Sequence, residues 1–452
     1  MDLTMKPILE LQAGLWSGKT TSRELTEQAL ARIKDPDGEG SRAFLAVHEE
    51  SALVAADASD RLRAQGVVPS PLAGLPVSLK DLFDEQGQQT LAGSKSLEGT
   101  APATKDSVVT ARLRAAGAVL VGRTNLTEFA YSGLGLNCHY DTPRNPWDRE
   151  TGRIPGGSSS GAGVSVADGM CAVAIGTDTG GSVRIPSALN GVTGFKTSTG
   201  RIPLDGTYPL SSTLDSVGPL APTVTCCIVT DAILDDRAPI VPRALPIESL
   251  RFGIPQNYAL NDLDHHVAST FEDTLEALSR AGASITEVNS SMYEEIPAAM
   301  PNGGILGAEA FAHHRPRMDE FKDSYDPRVW IRIRRGENLS AADLIDCHRV
   351  RADIQARAAD MAMPFDSLLM PTCATVAPAI ASLDNDEDAY GAANILLLRN
   401  TTVGNFLDTC AMSIPCHAPG TGPVGLMVMV ANRHDEWLAQ IGLSIERALN
   451  RG

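Results

Sequence analysis

Residues 156 to 186 read GGSSSGAGVSVADGMCAVAIGTDTGGSVRIP, a run dense in serine and glycine that closes on Gly180, Gly181 and Ser182. Small residues let backbone approach a reacting group closely, and N–H groups left free in a glycine turn can converge on one developing negative oxygen. Ser182 in such a turn is a candidate nucleophile beside its own oxyanion hole. A serine hydroxyl is weak until a base takes its proton, so the chemistry requires that base to be found. It is offered upstream by GLPVSLKDLFDEQG at 74 to 87, where the apolar run from Pro76 to Phe83 is broken by Lys80 and Asp81. Successive residues of a strand face opposite sides, so the alternation predicts that Lys80 and Asp81 do not both point inward. An inward Lys80 would lose its proton readily, because burial disfavours an ammonium. The alternative is a lysine that snorkels to solvent at a strand end.

Together these segments resemble the amidase signature family of serine hydrolases, with a lysine in a G-x-P-x-x-x-K-D context followed by GGSS and G-T-D-x-G-G-S. TLAGSKSLEG at 90 to 99, DSVVTARLRAAGAVLVGRTNLTEFA at 106 to 130, RNPWD at 144 to 148, GFKTSTGRIPLDG at 194 to 206, SIPC at 413 to 416 and GPVGLMVMV at 422 to 430 extend the likeness over most of the chain. The resemblance implies a Ser–Ser–Lys triad in which Ser182 is the nucleophile, Ser158, on a cis peptide bond, the relay, and Lys80 the base. It further implies that Ser159 hydrogen-bonds the lysine and that backbone N–H groups of Thr179, Gly180, Gly181 and Ser182 form the oxyanion hole. Where the family commonly reads GGSSGGS this chain reads GGSSSGAG, so Ser160 replaces a glycine and Ala162 a serine. The implied reaction is hydrolysis of an amide C–N bond through an acyl-enzyme, with no histidine and no cofactor.

A rival reading treats Gly157 to Gly161 as a G-x-S-x-G nucleophile elbow, which requires a strand immediately before it. The preceding TPRNPWDRETGRIPGG carries three prolines and several charges, which is loop chemistry. No G-x-x-x-x-G-K-[ST] phosphate loop occurs.

The elements that must position these residues are partly legible. Thr21 to Glu24 forms a capping box ahead of an apolar face of Leu25, Ala29, Leu30 and Ile33, predicting a helix that ends near Pro36. Further helices are predicted from Glu49 to Gln65, stopped by Gly66, and from Ser107 to Ala116, closed by Gly117, with a short buried strand at Ala118 to Val121. Asp235 to Glu248 reads as a connector, Ile254 to about Asp360 as mostly helical, and Ser367 to Met370 and Gly425 to Val430 as strands. The chain therefore divides into an N-terminal helical segment (1–66), a catalytic core (67–235), a connector with a mostly helical pocket region (236–360) and a C-terminal part (361–452). The alternation of helix and strand is that of an α/β protein. The resemblance makes it a single α/β/α domain around a large mixed sheet flanked by helices.

Of 452 residues 43% are hydrophobic and 21% charged, enough apolar material for a large core, and the net charge of −17 argues against a nucleic-acid partner, which needs clustered lysine and arginine. No apolar run suggests a membrane span or a signal peptide, so the expected setting is the cytoplasm, with a small-molecule amide as the partner. The family leads one to expect a homodimer. The eight cysteines show no paired spacing and read as buried small hydrophobes, and the adjacent pairs His265–His266 and His313–His314 lack the spacing of metal ligands. The resemblance implies that the loop near residues 129 to 140 and the helical segment after the connector, with Ala308 to Gly336, line the mouth of the substrate pocket. An arginine among Arg315, Arg317, Arg332, Arg334 and Arg335 could fork onto a substrate carboxylate; the alternative is a solvated basic face. The polar stretch typical of the A-type component of tRNA amidotransferases is replaced here by FAYSGLGLNCHY, Phe129 to Tyr140, which favours a free-standing amidase over that alternative. Hydrolysis of a urea-like, biuret-type amide is a further alternative.

Overall fold

The computed structural model describes residues 2 to 449. Among them one mixed sheet of eleven strands runs through the molecule, in the order β1-β3-β2-β4-β6-β5-β10-β11-β9-β7-β8. The strands are β1 (Phe44–Val47), β2 (Pro76–Lys80), β3 (Val119–Thr124), β4 (Val173–Asp178), β5 (Thr193–Lys196), β6 (Ser216–Ala221), β7 (Arg251–Pro255), β8 (Ser284–Val288), β9 (Ser367–Pro371), β10 (Thr409–Pro415) and β11 (Gly425–Ala431). Parallel pairing joins β2 to β3 and to β4, and β7 to β8 and to β9; antiparallel pairing joins the rest. Helices cover the sheet, which makes the protein an α/β fold of the expected kind.

Burial on both faces explains the composition of the central strands: every residue of β2, β3 and β4 is buried, so none alternates polar with apolar. The same fact corrects the expectation for Lys80 and Asp81. Alternation would send one of them to solvent only if one face were wet, and here both residues are buried, at 0% and 2% exposure. Asp81, just past the end of β2, is neutralised by the equally buried Arg123 at 2.7 Å. That pair also explains why β3 runs three residues beyond its expected end, through Gly122 and Arg123 to Thr124: the arginine's charge is satisfied inside the protein.

The N-terminal helix forms at Ser22–Lys34 with both bonds of its capping box, and those at Glu49–Ala64 and Val108–Ala115 end next to Gly66 and Gly117, both at positive φ. Asp236 to Pro246 has no regular structure. The region from Ile254 to Asp360, expected to be mostly helical, contributes β8 and, with Arg251 to Pro255, β7 to the sheet edge. β8 is a short edge strand with three exposed residues, so it carries no apolar period to read.

The site is built where the carboxyl ends of the adjacent parallel strands β2 and β4 meet, the usual place for chemistry in such sheets. β2 delivers Lys80 as its last residue and β4 delivers Thr177 and Asp178. The helix Ser160–Ala167 is rich in small residues and packs tightly on its neighbours: a Cβ on Gly161 would collide with the Ala43 carbonyl.

Candidate active site

Lys80 is fully buried, which removes the snorkelling alternative. Its ammonium nitrogen donates to Ser158 Oγ at 2.7 Å and to Thr177 Oγ1 at 2.9 Å. Burial pushes its pKa down to about 7, against the opposing pull of Asp215 and Asp178. An amine with that value is half neutral near pH 7 and can accept a proton there.

Thr177 is the acceptor that sequence reasoning missed. Ser159, expected beside the lysine, has a buried hydroxyl with no hydrogen-bond partner. It lies so close to the backbone of Gly176 that a Cβ there would sit 2.7 Å from Ser159 Oγ. The expectation for Ser159 is therefore corrected: the strand, not the serine loop, supplies the lysine's second partner. A polar β-branched residue in the apolar run of β4 was the available signal.

Ser158 is buried on a cis peptide bond from Gly157. Gly157 is tightly enclosed, since a Cβ there would lie 2.5 Å from Gly135 N, while its own N–H donates to the Gly133 carbonyl at 2.8 Å. No strand precedes this loop; Arg153 makes only an isolated bridge with Ala379, so the nucleophile-elbow context is missing. Ser160 Oγ, at the family departure, also has no partner, and Ala162 is buried in the core.

The serine loop reaches Ser182 through the backbone: Ser159 N–H donates to the Ser182 carbonyl at 3.3 Å. Ser182 is 3% exposed and lines a cavity of about 440 Å³ together with Thr179 and Gly180. Gly181 does not line it. At φ 137° it is pressed on the next layer, where a Cβ would collide with the Thr401 side chain. Thr401 Oγ1 donates to the Gly180 carbonyl at 2.7 Å. Among the described residues no protein acceptor takes the backbone N–H groups of Thr179 to Ser182, whereas those of Val183 and Arg184 donate to Asp178 Oδ2. Donors left free in this way are what an oxyanion requires.

Two buried carboxylates brace this loop. Asp178 pairs with Arg184 at 2.9 Å and with Asn405 Nδ2 at 2.9 Å; burial alone would raise its pKa, but Arg184 holds it well below the usual carboxylate range. Asp215 accepts from Thr179 Oγ1 at 2.5 Å and from the N–H groups of Leu210 and Ser211, and burial pushes its pKa up to about 6. Neither was singled out from the sequence.

A family model described as Amidase matches residues 24–438. The chain belongs to the amidase family. It is 37% identical over 401 residues to a 2-amino-5-chloromuconic acid deaminase from Comamonas testosteroni, covering 88% of this chain and 86% of that one. It is 32% identical over 478 residues to the A-type component of the glutamyl-tRNA(Gln) amidotransferase from Chromohalobacter salexigens, covering 98% and 96%. A solved amidase structure superposes with a TM-score of 0.87 at 31% identity over 98% of this chain and 99% of its own. This amidase is thus a hydrolase of carbon–nitrogen bonds, and its fold is the family's large mixed sheet flanked by helices.

Of the regions expected to contact substrate, Ala130, Tyr131 and Ser132 line the cavity, and so does Arg332. Arg315 and Arg335 are exposed, Arg317 binds the Ser96 carbonyl, and Arg334 pairs with Asp319 and Glu337. For Arg315, Arg334 and Arg335 the solvated-face reading holds, while Arg317 is half-buried against Phe321. His314 is a buried member of an aromatic layer with Phe129 and Tyr325, bonded to the Tyr325 hydroxyl at 3.0 Å, and burial pushes its pKa down to about 3. The cysteines are buried except Cys138, which is exposed in the loop after Leu136, and Cys416, which is half-buried. A second cavity of about 560 Å³, bounded by Tyr293, Gln355 and Trp437, reaches none of Lys80, Ser158 or Ser182. Among the described residues no helix is long and apolar enough to cross a membrane.

Proposed function

We propose that this amidase cleaves a small-molecule amide to a carboxylate and ammonia or an amine, with Ser182 as nucleophile, Ser158 as relay and Lys80 as base. The observation that carries the reading is the buried, proton-poor amine of Lys80 at 2.7 Å from Ser158 Oγ. Neutral Lys80 accepts the Ser158 proton while Ser158 accepts that of Ser182, whose Oγ attacks the amide carbon. The carbonyl π pair moves onto oxygen, which the free N–H groups of the Thr179–Ser182 turn stabilise; in hydrolases loss of one such donor costs on the order of 10²–10³ in rate. The relay then returns a proton to the departing nitrogen, the C–N bond breaks, and water hydrolyses the acyl-enzyme along the same path in reverse.

We infer that the chain acts without a partner, in the cytoplasm, with a homodimer as the expected assembly. The segment Phe129 to Tyr140 supports this over the amidotransferase alternative, although similarity to an A-type amidotransferase component extends over 98% of the chain. Ammonia or amine release from aliphatic, aromatic, carboxylate-bearing and urea-type amides by the purified chain, with Ser182→Ala as control, tests the proposal. Release that disappears in the variant supports it; release that survives the substitution rejects Ser182, and none from any amide favours the amidotransferase reading.

A further inference from the structure

The cavity over Ser182 has a charge unlike that of the protein around it. Acidic residues outnumber basic ones by 55 to 38 in the chain, yet no Asp, Glu or Lys lines this cavity, and its charged residues are Arg332, Arg351 and Arg399. They come from three separate helices, Pro327–Arg334, Ala341–Ala362 and Glu387–Phe406. Arginines elsewhere on the first two helices meet carboxylates: Arg328 pairs with Glu387, Arg334 with Asp319 and Glu337, and Arg357 with Glu295.

The three cavity arginines are held by neutral acceptors only. Arg332 Nη1 donates to the Tyr131 carbonyl at 2.9 Å and its guanidinium lies over the Tyr390 ring, 5.0 Å from the centroid. Arg351 donates to the carbonyls of Phe406 at 2.8 Å and Asn405 at 3.3 Å. Arg399 donates to Asn400 Oδ1 at 3.1 Å and the Ala259 carbonyl at 3.2 Å. Asp408 and Glu309 face Arg351 and Asp262 faces Arg399, but none comes within ion-pair distance. Carbonyl acceptors fix a guanidinium's orientation without cancelling its charge. Nη1 of Arg351 and Arg399 and Nη2 of Arg332 have no protein acceptor among the described residues. Half-buried positive charge without a counter-ion is costly, and an anion entering with the substrate relieves that cost. Leu210, Leu214, Met300, Ile305, Leu306 and Phe406 make a further part of the wall apolar, which suits a hydrocarbon spacer.

We propose that this amidase selects small amides carrying a carboxylate, such as monoamides of dicarboxylic acids, by forking the carboxylate onto one or more of the guanidinium groups of Arg332, Arg351 and Arg399. The proposal rests on the reading of Ser182 as the nucleophile that faces the same cavity. Guanidinium geometry matches a carboxylate through two parallel bonds.

The test is calorimetric binding of the monoamides of succinic, glutaric and adipic acids, and of neutral alkyl amides of matching length, to Ser182→Ala protein, beside ammonia release by the unsubstituted enzyme. A charge-assisted pair leads us to expect one monoamide to bind about tenfold to a hundredfold tighter than its neutral counterpart. That preference shrinks as salt rises and falls at least about tenfold in one or more of Arg332→Gln, Arg351→Gln and Arg399→Gln. Salt dependence in the Ser182→Ala protein needs no arginine variant, so it stands even if one misfolds. Equal or undetectable binding of the monoamides, or affinity indifferent to salt and to all three substitutions, overturns the proposal. Ammonia released as fast from neutral amides rejects the anion site and leaves the catalytic reading in place. Selective binding without any release upholds the anion site and rejects that reading.

Discussion

Replacing Lys80 by methionine separates the cost of burying its amine from the use made of it. The unfolded chain keeps a proton on this amine up to about pH 10.5, while the folded protein releases it near 7. Between those values the unfolded state binds more protons, so the wild-type fold gains stability as pH rises and loses it as pH falls. Each pH unit inside the window is worth about 1.4 kcal/mol for one proton, and integrating between pH 7.5 and 9.5 gives about 2.5 kcal/mol. Methionine removes the titration and leaves Ser158 Oγ and Thr177 Oγ1 without their donor, a penalty that does not vary with pH. Urea unfolding of both proteins across pH 7.5 to 9.5 isolates the titration as the change in their stability difference, because the other ionising groups are common to both. The wild type should gain about 2.5 kcal/mol relative to Lys80→Met over that interval. A difference that stays flat would mean that Lys80 is charged throughout, and the neutral-base argument would fail with it.

The same amine sets the expected acid limb of kcat/KM near pH 7; a profile flat down to acid unfolding would contradict a neutral-lysine base. Thr177→Val removes an acceptor that favours the ammonium, so that limb should move to lower pH while kcat falls, which a pH–rate profile reads directly. Ser159→Ala deletes a buried hydroxyl without a partner and should leave turnover within about twofold and stability unchanged or higher by up to about 1 kcal/mol. A large loss of activity would restore the role that the sequence assigned to it. Arg184→Met strands the buried Asp178 carboxylate and should cost about 3–5 kcal/mol in denaturant unfolding, as breaking one side of a buried ion pair does.

Lys80 and Ser182 stood out as candidates because each sits in a local pattern, a charge interrupting an apolar strand or a serine among glycines, whereas Ser158 entered only through the family resemblance. Their supports are less legible. Thr177 and Asp215 act through contacts between distant segments; a polar β-branched residue in the apolar run of β4 was the one local signal for Thr177, and nothing within a few residues marks Asp215. Arg351 and Arg399 lie in helices where an arginine is ordinary, and only the fold reveals that their neighbours are carbonyls rather than carboxylates. Helices with caps and glycine stops were legible for the same local reason as Ser182. The edge strand β8 was not, because its two apolar residues, Ile285 and Val288, fall three apart and show no strand period. The inference that Lys80 and Asp81 do not both point inward failed on a tertiary fact, the covering of both sheet faces.

The most direct test of the account is intact-mass and peptide mapping of enzyme quenched during turnover of a slowly deacylated amide. An acyl group on the peptide that holds Ser182, absent from Ser182→Ala and from Lys80→Met, is the predicted result. Acylation at Ser158, or unimpaired turnover by Ser182→Ala, would contradict the relay.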